Sequence, residues 1–267
     1  MSQITVTSPY NGKVLSTLDV LNKQDVEAVL DCAKEAYENQ ENWLPKYQRV
    51  EILKKTISIM NERIEELTIT AASEGGKPYM DSKVEVIRAI NGIEIAIEQM
   101  ANLGGEEIPM GHTLSSANRM AYTMREPIGV VLAISAFNHP LNLAVHQVIP
   151  AIAVGSPVII RPSASTPMST LKLVEILYEA GLPKEWCQAV ICDREAAEHM
   201  VKSPKIDFFA FIGSGAVGWH LNSVVAPGTR VALEHGGVAP VIVEADTDIE
   251  ELIPALAKGG FYHAGQV

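Results

Sequence analysis

The sequence contains few cysteines, and their positions exclude the roles that cysteines most often have in small secreted or metal-binding proteins. Only Cys32, Cys187 and Cys192 occur among 267 residues, an odd number without the spacing of a zinc site or a disulfide framework. A chain of this length buries roughly 70 to 75% of its unfolded surface and needs neither metal nor disulfide for its core. We therefore expect reduced structural thiols, a cytoplasmic protein and no metal site.

Long apolar runs and an excess of basic residues are also missing. The most apolar stretch, residues 128–137, is too short to span a bilayer, which needs about 20 residues. Residues 1–9 lack the basic segment followed by an apolar run that is typical of a leader. The 21 basic and 32 acidic residues give a net charge of −11, which repels a phosphate polymer. We expect no nucleic-acid or membrane partner.

Hydrophobic periodicity predicts that residues 1–105 are mainly helical and belong to the same domain as the sheet that follows. Asn22 is placed to cap a first amphipathic helix, and apolar residues at helical spacing from Val50 to Leu67 indicate a second. A third pattern runs from Val84 to Ile97 and stops before the glycines at 104–105.

The pattern then changes to an alternation of strands and helices. Residues 106–126 favour a protruding β-hairpin, which is a candidate oligomerisation element, or else an ordinary solvated hairpin. Residues 127–235 predict an α/β fold, a Rossmann-like parallel sheet covered by helices. We expect its strands at 129–135, 157–160, 187–192 and 207–211, with further runs ending at Glu234 and Val243.

The carboxyl ends of these strands collect residues that are chemically coherent. Asn138, Arg161, the glycine-rich turn at 213–218 and Glu234 all follow or end predicted strands, and ligands of parallel sheets bind at that edge. The turn suits a pyrophosphate at a helix N-terminus, but also fits a simple tight turn. Asn138 is either a turn residue or an oxyanion donor, and Arg161 either a solvated strand end or a ligand of ribose or phosphate. Glu234 is a ribose ligand, a general base or a structural carboxylate.

Seven segments, in order, resemble motifs of the aldehyde dehydrogenase superfamily, and the resemblance covers nearly the whole chain. AFNHPL stands where the family has Pro-Trp-Asn-Phe-Pro-Leu, and RPS where it has Lys-Pro-Ser or Lys-Pro-Ala. LEHGG stands where it has Leu-Glu-Leu-Gly-Gly. The seven segments are EGGKP at 74–78, REPIGVV at 125–131, AFNHPL at 136–141, RPS at 161–163, AGLP at 180–183, FIGS at 211–214 and LEHGG at 233–237.

The resemblance implies NAD(P)-dependent oxidation of a small aldehyde, with Asn138 as the oxyanion amide and Glu234 as the general base. Arg161 replaces the usual lysine, and Ala164 stands where many NAD-using members have a glutamate. We therefore expect NAD or NADP as the cofactor, with NADP tolerated or preferred. The cofactor-binding residues that the resemblance implies are Ile134, Ser135, Ala136, Phe137, Arg161, Ser163, Gly213, Ser214, Val217 and Gly236.

The resemblance also places the nucleophilic cysteine directly after Val267, and residues 236–267 at the start of the catalytic domain. We therefore expect the 267 residues to be the cofactor-binding part of a longer enzyme, a homodimer or homotetramer, and to be inactive alone. Two alternatives stay open. One is a non-catalytic nucleotide-binding or oligomerisation module, and the other is a conventional Rossmann dehydrogenase with Glu234 on the ribose.

Overall fold

The computed structural model describes residues 2–267 and begins with a β-hairpin that the sequence analysis did not predict. Strands β1 (Ser2–Thr7) and β2 (Val14–Val20) pair antiparallel, and Gly12 in the turn has a φ of +70°. The prediction of a mainly helical first hundred residues is therefore wrong for this segment. The hairpin could have been recognised from the alternation of polar and apolar residues on both sides of the turn. Successive side chains of a strand point to opposite faces of the sheet, and this produces such an alternation.

Four helices follow, and the first is capped as predicted. In α1 (Lys23–Glu38) the Asn22 side chain accepts hydrogen bonds from two backbone N–H groups, and the Asp25 carboxylate accepts the Asn22 N–H in return. The predicted second helix is two helices, because the backbone leaves the helical conformation at Arg63, whose guanidinium binds Glu179 at 2.6 Å. These helices are α2 (Lys46–Glu62), α3 (Ile64–Gly75) and α4 (Tyr79–Met100).

The predicted hairpin in residues 106–126 is present but minimal. Strands β3 (Glu107–Ile108) and β4 (Ala121–Tyr122) contribute two paired residues each. The loop between them exposes Leu114 and Met120 almost fully.

A five-stranded parallel sheet confirms the predicted Rossmann-like fold. Its strand order is β7-β6-β5-β8-β9, so consecutive connections run outward from β5 in one direction and then return to β8 on its other side. The strands are β5 (Val131–Ile134), β6 (Val158–Arg161), β7 (Cys187–Ala189), β8 (Phe208–Gly213) and β9 (Arg230–His235); the connecting helices are α5 (Pro140–Val154), α6 (Met168–Glu179), α7 (Arg194–Val201) and α8 (Gly215–Asn222).

Helices cover both faces of this sheet and give two hydrophobic cores. On one face α5 and α6 pack against Val131, Ala133 and Ile160, with α2, α3 and α4 outside them. On the other face α1, α7 and α8 pack against Leu132 and Phe209. The N-terminal helices thus share a core with the sheet. The predicted domain boundaries stay predictions.

Residues 236–248 contain no strand, so the predicted strand ending at Val243 is wrong. Val241 and Val243 are exposed, and this segment pairs with no strand among residues 2–267. Helix α9 (Ile249–Phe261) and a 3-10 turn (Tyr262–Gly265) end the chain. Within the described residues, every helix falls short of the length or apolarity needed to cross a bilayer.

Gly129 is expected to be irreplaceable where the chain enters β5. Its φ is +130°, and an added Cβ would lie 2.1 Å from an Asp207 carboxylate oxygen that accepts the Val130 N–H. We predict that Gly129→Ala lowers the free energy of unfolding by about 3 kcal/mol, because it adds backbone strain and breaks this hydrogen bond.

Urea unfolding followed by circular dichroism measures the loss. Gly228 has a φ of +95°, but no atom lies within 4 Å of an added Cβ. Gly228→Ala should therefore lower the free energy of unfolding by only about 1 kcal/mol. Gly104→Ala, in open space without a positive φ, should be near neutral. Equal losses in all three variants would contradict a role for the Asp207 contact.

Candidate active site

The sheet register brings the predicted site segments to one edge. Ile134 lies opposite both Arg161 and Phe211, and Gly213 lies opposite His235. Because the four strands are parallel, the residues after each of them emerge on the same side. The order in which strands are added to the sheet reverses between β5 and β8, so this edge is a topological switch point, where open α/β sheets bind ligands.

A buried ion pair holds the backbone of Asn138. The Lys77 ammonium contacts the Glu85 carboxylate, both side chains are fully buried, and the same ammonium donates to the Asn138 carbonyl oxygen at 2.9 Å. The Asn138 side-chain amide donates to the Gln266 carbonyl oxygen at 3.0 Å. The position of this amide is therefore fixed from both sides.

Two buried carboxylates accept the first N–H groups of the helices that follow β5 and β6. Glu85 accepts from Leu141 at 2.9 Å and Asn142 at 3.2 Å, in the first turn of α5. Glu74 accepts from Met168 and Ser169 in α6, and burial raises the pKa of Glu74 to about 7. Negative charge at a helix N-terminus is stabilising, so both contacts fix where these helices begin.

The glycine-rich turn leads into α8 and packs against His235. Ser214 precedes the helix, and its hydroxyl makes no capping hydrogen bond in the described part of the chain. A Cβ on Gly218 would lie 2.2 Å from His235 Nε2, which explains the last glycine of the pattern. The first N–H groups of a helix have no intrahelical partner, so this turn presents donors suited to an anion. Val217 is half-exposed on that helix, and Gly236 follows β9.

The residues after β5 and β6 form the other side of this edge. Arg161 donates to the Cys192 carbonyl oxygen at 3.1 Å, and over residues 2–267 it forms no ion pair with a carboxylate. The Ser163 hydroxyl lies 2.9 Å from that of Ser165. Ser135 is buried and Phe137 is half-exposed, with Ala136 between them.

Glu234 lies across an apolar groove from α5. The groove has a volume of about 400 Å³ and includes Leu143, His146 and Ile212. Glu234 is exposed, and its charge acts on the imidazole of His146, whose pKa is nevertheless lowered, mainly by burial. The amide of Asn138, at the head of α5, and the carboxylate of Glu234 thus belong to the same face of the sheet.

Three cysteines are excluded as nucleophiles within this part of the chain. Burial is the main cause of a raised pKa for Cys32, Cys187 and Cys192, and for Cys187 the value is about 12. A reactive thiol needs a lowered pKa. The three are free thiols, as expected.

Sequence reasoning missed the polar residues that organise this edge. Lys77 and Glu74 were noted only as parts of a turn, and Glu85 and Gln147 were not singled out. Gln147 donates to the carbonyl oxygens of Ile134 and Ala210 and so bridges β5 and β8. Glu85 lies on the apolar face of α4 beside Val86 and Ala89. A charged residue among apolar core positions is unusual, and this could have marked Glu85 as a buried functional residue.

Comparison with known proteins agrees with this geometry. The family model of the aldehyde dehydrogenase family matches residues 1–267. A 3-sulfolactaldehyde dehydrogenase from Priestia aryabhattai is 35% identical over 266 residues, which are 99% of this chain and 55% of that relative.

Two solved structures show the same fold. Aldehyde dehydrogenase 21 from Physcomitrella patens, in complex with the reaction product succinate, has a TM-score of 0.90 and 32% identity, covering 100% of this chain and 55% of that one. The NADP-dependent glyceraldehyde-3-phosphate dehydrogenase from Bacillus halodurans, complexed with NADP, has a TM-score of 0.91 and 31% identity, covering 100% and 56%. The chain thus spans about half the length of the proteins that it matches, and it belongs to the aldehyde dehydrogenase family.

Proposed function

We propose that the intact protein oxidises a small aldehyde to a carboxylic acid with NAD or NADP, and that this chain supplies the cofactor site, the oxyanion amide and the general base. The observation that carries the proposal is the fixed position of Asn138. Its amide sits at the head of α5, held through Lys77 and Gln266, on the face of the sheet where Glu234 borders the groove.

The residues at the sheet edge fit a nicotinamide dinucleotide. The turn at 213–218 and the start of α8 suit the pyrophosphate, while Arg161, Ser163 and the segment 134–137 suit the adenosine ribose. A buried Ser135 hydroxyl without a hydrogen-bond partner in residues 2–267 gives this segment a free donor. When bound, the cofactor would accept the hydride of the aldehyde.

Asn138 and Glu234 would handle charge and protons in this chemistry. The Asn138 Nδ2–H would donate to the aldehyde oxygen as it becomes negative during attack by a thiolate, and a donor of this kind lowers the barrier by roughly 3 kcal/mol. Glu234 would accept a proton from the thiol or from the hydrolytic water. The thiolate would come from the cysteine that the family resemblance places after Val267.

We also propose that the aldehyde carries an anionic group. Burial is the main cause of the lowered pKa of His146, which lines the groove, and the positive charge of Arg88 on α4 contributes to it. Arg88 is exposed, and Gly92, one turn further along α4, packs against Val145 and His146 of α5, so we assign this guanidinium to the anionic group. The names of the three similar proteins support this class, since they refer to sulfolactaldehyde, succinate and glyceraldehyde-3-phosphate.

The hairpin at 106–126 and the thiols support two further proposals. A homodimer or homotetramer would pair the exposed edge of β3 and β4, whose neighbours Met120 and Tyr122 are also exposed. Sedimentation of the intact protein as a monomer would contradict this assembly. The free thiols support a cytoplasmic location, which secretion of the protein in its native cells would contradict.

Turnover by the intact gene product tests the proposed activity. We predict that Asn138→Ala lowers kcat by about 100-fold, because the oxyanion loses its side-chain donor, and that Glu234→Gln lowers it by a similar factor. Formation of NAD(P)H from semialdehydes that carry a carboxylate is the measurement. An unchanged kcat in Asn138→Ala would exclude the oxyanion role.

Substrate class is tested in the same assay. Arg88→Gln should raise KM for a carboxylate-bearing aldehyde about tenfold and leave KM for propanal unchanged, because only the anion interacts with the guanidinium. Arg119→Gln, in the distant loop between β3 and β4, is the matched control. An equal change for both aldehydes would contradict an anionic substrate.

Cofactor preference is tested by fluorescence titration with NADPH and NADH. Arg161 has no carboxylate partner in the described residues, so its guanidinium is free to bind the 2′-phosphate of NADP. Residue 164 is an exposed alanine, so this position carries no carboxylate that would repel the phosphate. We predict that Arg161→Gln weakens NADPH binding about tenfold more than NADH binding, and that Ala164→Glu does the same by repulsion. Much tighter NADH binding by the unaltered protein would refute this preference.

A further inference from the structure

A cluster of side chains that are typical metal ligands lies beside Asn138, and none of them contacts the aldehyde or the cofactor in the proposed chemistry. Glu85 from α4, His139 from the head of α5 and His263 from the 3-10 turn each place one oxygen or nitrogen within 4.8 Å of the other two. The two imidazole rings are 4.0 Å apart between centroids, and His139 Nδ1 lies 4.0 Å from Glu85 Oε2. Residues from three distant segments therefore converge on one point.

His263 is the most unusual member of the cluster. Its side chain is fully buried, and across residues 2–267 neither ring nitrogen makes a hydrogen bond. Leaving a buried polar group unpaired costs about 1 to 3 kcal/mol. The backbone also has a φ of +50°, a left-handed conformation that is costly for a residue with a side chain, and its N–H donates to Asp81 at 3.0 Å. The fold thus holds this ring inward.

Both imidazoles are ready to act as ligands. His139 Nδ1 lies 4.0 Å from Glu85 Oε2, and both nitrogens of His263 are without a hydrogen-bond partner among residues 2–267. A metal ion bound by the two rings would therefore displace no hydrogen bond of His263.

We propose that Glu85, His139 and His263 form a binding site for a divalent transition-metal ion such as Zn²⁺ or Co²⁺. Two imidazoles and one carboxylate are a donor set typical of these ions. Ligands at about 2.0 to 2.1 Å from a tetrahedral metal lie roughly 3.3 Å apart. The observed separations need to shorten by about 1 Å, which side-chain rotation at His139 and His263 can supply. The expectation of no metal site came from the cysteine spacing, and it did not consider Glu85, His139 and His263, which are far apart in the chain.

The positive charge of Lys77 lowers the affinity of the site for a metal ion, so a variant without this charge tests the proposal. Its ammonium contacts the same Glu85 oxygen that faces His139, so a cation bound there is repelled by Lys77. Removing that charge leaves a buried carboxylate without its cation, which a metal ion can replace. We therefore expect Lys77→Met to bind metal at least tenfold more tightly than the unaltered protein.

The three ligands join segments that also position Asn138. His139 follows Asn138, and His263 lies three residues before Gln266, whose carbonyl oxygen accepts the Asn138 amide. A bound metal would cross-link α4, the head of α5 and the 3-10 turn, and so stabilise the native state. This proposal does not depend on the aldehyde chemistry, and its test needs no turnover.

Calorimetric titration with Zn²⁺ and absorption titration with Co²⁺ test the site. We expect one saturable ion per chain and a rise in the melting temperature with Zn²⁺. His139→Phe and His263→Asn should each weaken binding at least tenfold and remove that rise. His220→Asn, which changes an exposed histidine paired with Glu198, should keep both. Absence of saturable binding at about 1 mM metal would overturn the proposal.

A structural measurement keeps the result clear if a variant fails to fold. X-ray absorption of the Zn²⁺-loaded, otherwise unaltered protein should show two imidazole nitrogens and a carboxylate oxygen in the coordination shell. A shell without two imidazoles, or a folded His139→Phe that binds as tightly as the unaltered protein, would overturn the assignment.

Discussion

The buried pair of Lys77 and Glu85 is the interaction on which the active-site edge depends. One carboxylate accepts two N–H groups at the start of α5 and also contacts the lysine, and the lysine in turn binds the carbonyl oxygen of Asn138. Removing one partner of a fully buried ion pair costs about 3 to 5 kcal/mol, because the remaining charge is left without compensation. The pair therefore fixes the helix start together with the backbone of Asn138, the residue that we propose as the oxyanion donor.

This arrangement explains why the N-terminal helices belong to the functional unit. Helices α3 and α4 carry no residue of the glycine-rich turn, but their carboxylates Glu74 and Glu85 determine where α6 and α5 begin. The turn at 213–218, which we propose as the pyrophosphate site, depends on a different contact, in which His235 fills the space that Gly218 leaves open. Asn138 and the glycine-rich turn are thus held by residues that have no assigned contact with the aldehyde or the cofactor.

Sequence patterns predicted what is periodic or local. The alternation of strands and helices and the Asn22 cap follow from the spacing of apolar and capping residues along the chain. The same spacing predicts that the residues after the strands meet at one edge of the sheet, which are Asn138, Arg161, Gly213 and Glu234. The patterns failed where tertiary contacts determine the end of a helix, as between α2 and α3. They also failed at Val243, where an apolar run has no neighbouring strand to pair with among residues 2–267.

The site was predictable only in part for the same reason. A family resemblance supplied roles for residues in matched motifs, but it gave no role to Glu85 or Gln147, which lie outside them. The cluster of His139 and His263 was invisible in the sequence, because only folding brings the two rings together.

Hydrogen exchange at the start of α5 tests the central claim most directly. In Lys77→Met, the amides of Leu141 and Asn142 should exchange about 100-fold faster relative to the Gly218 amide in α8, because the Glu85 carboxylate loses the charge that keeps it in place. Unchanged rates at these two amides, or an equal increase in α5 and α8, would show that the ion pair does not fix this end of the helix.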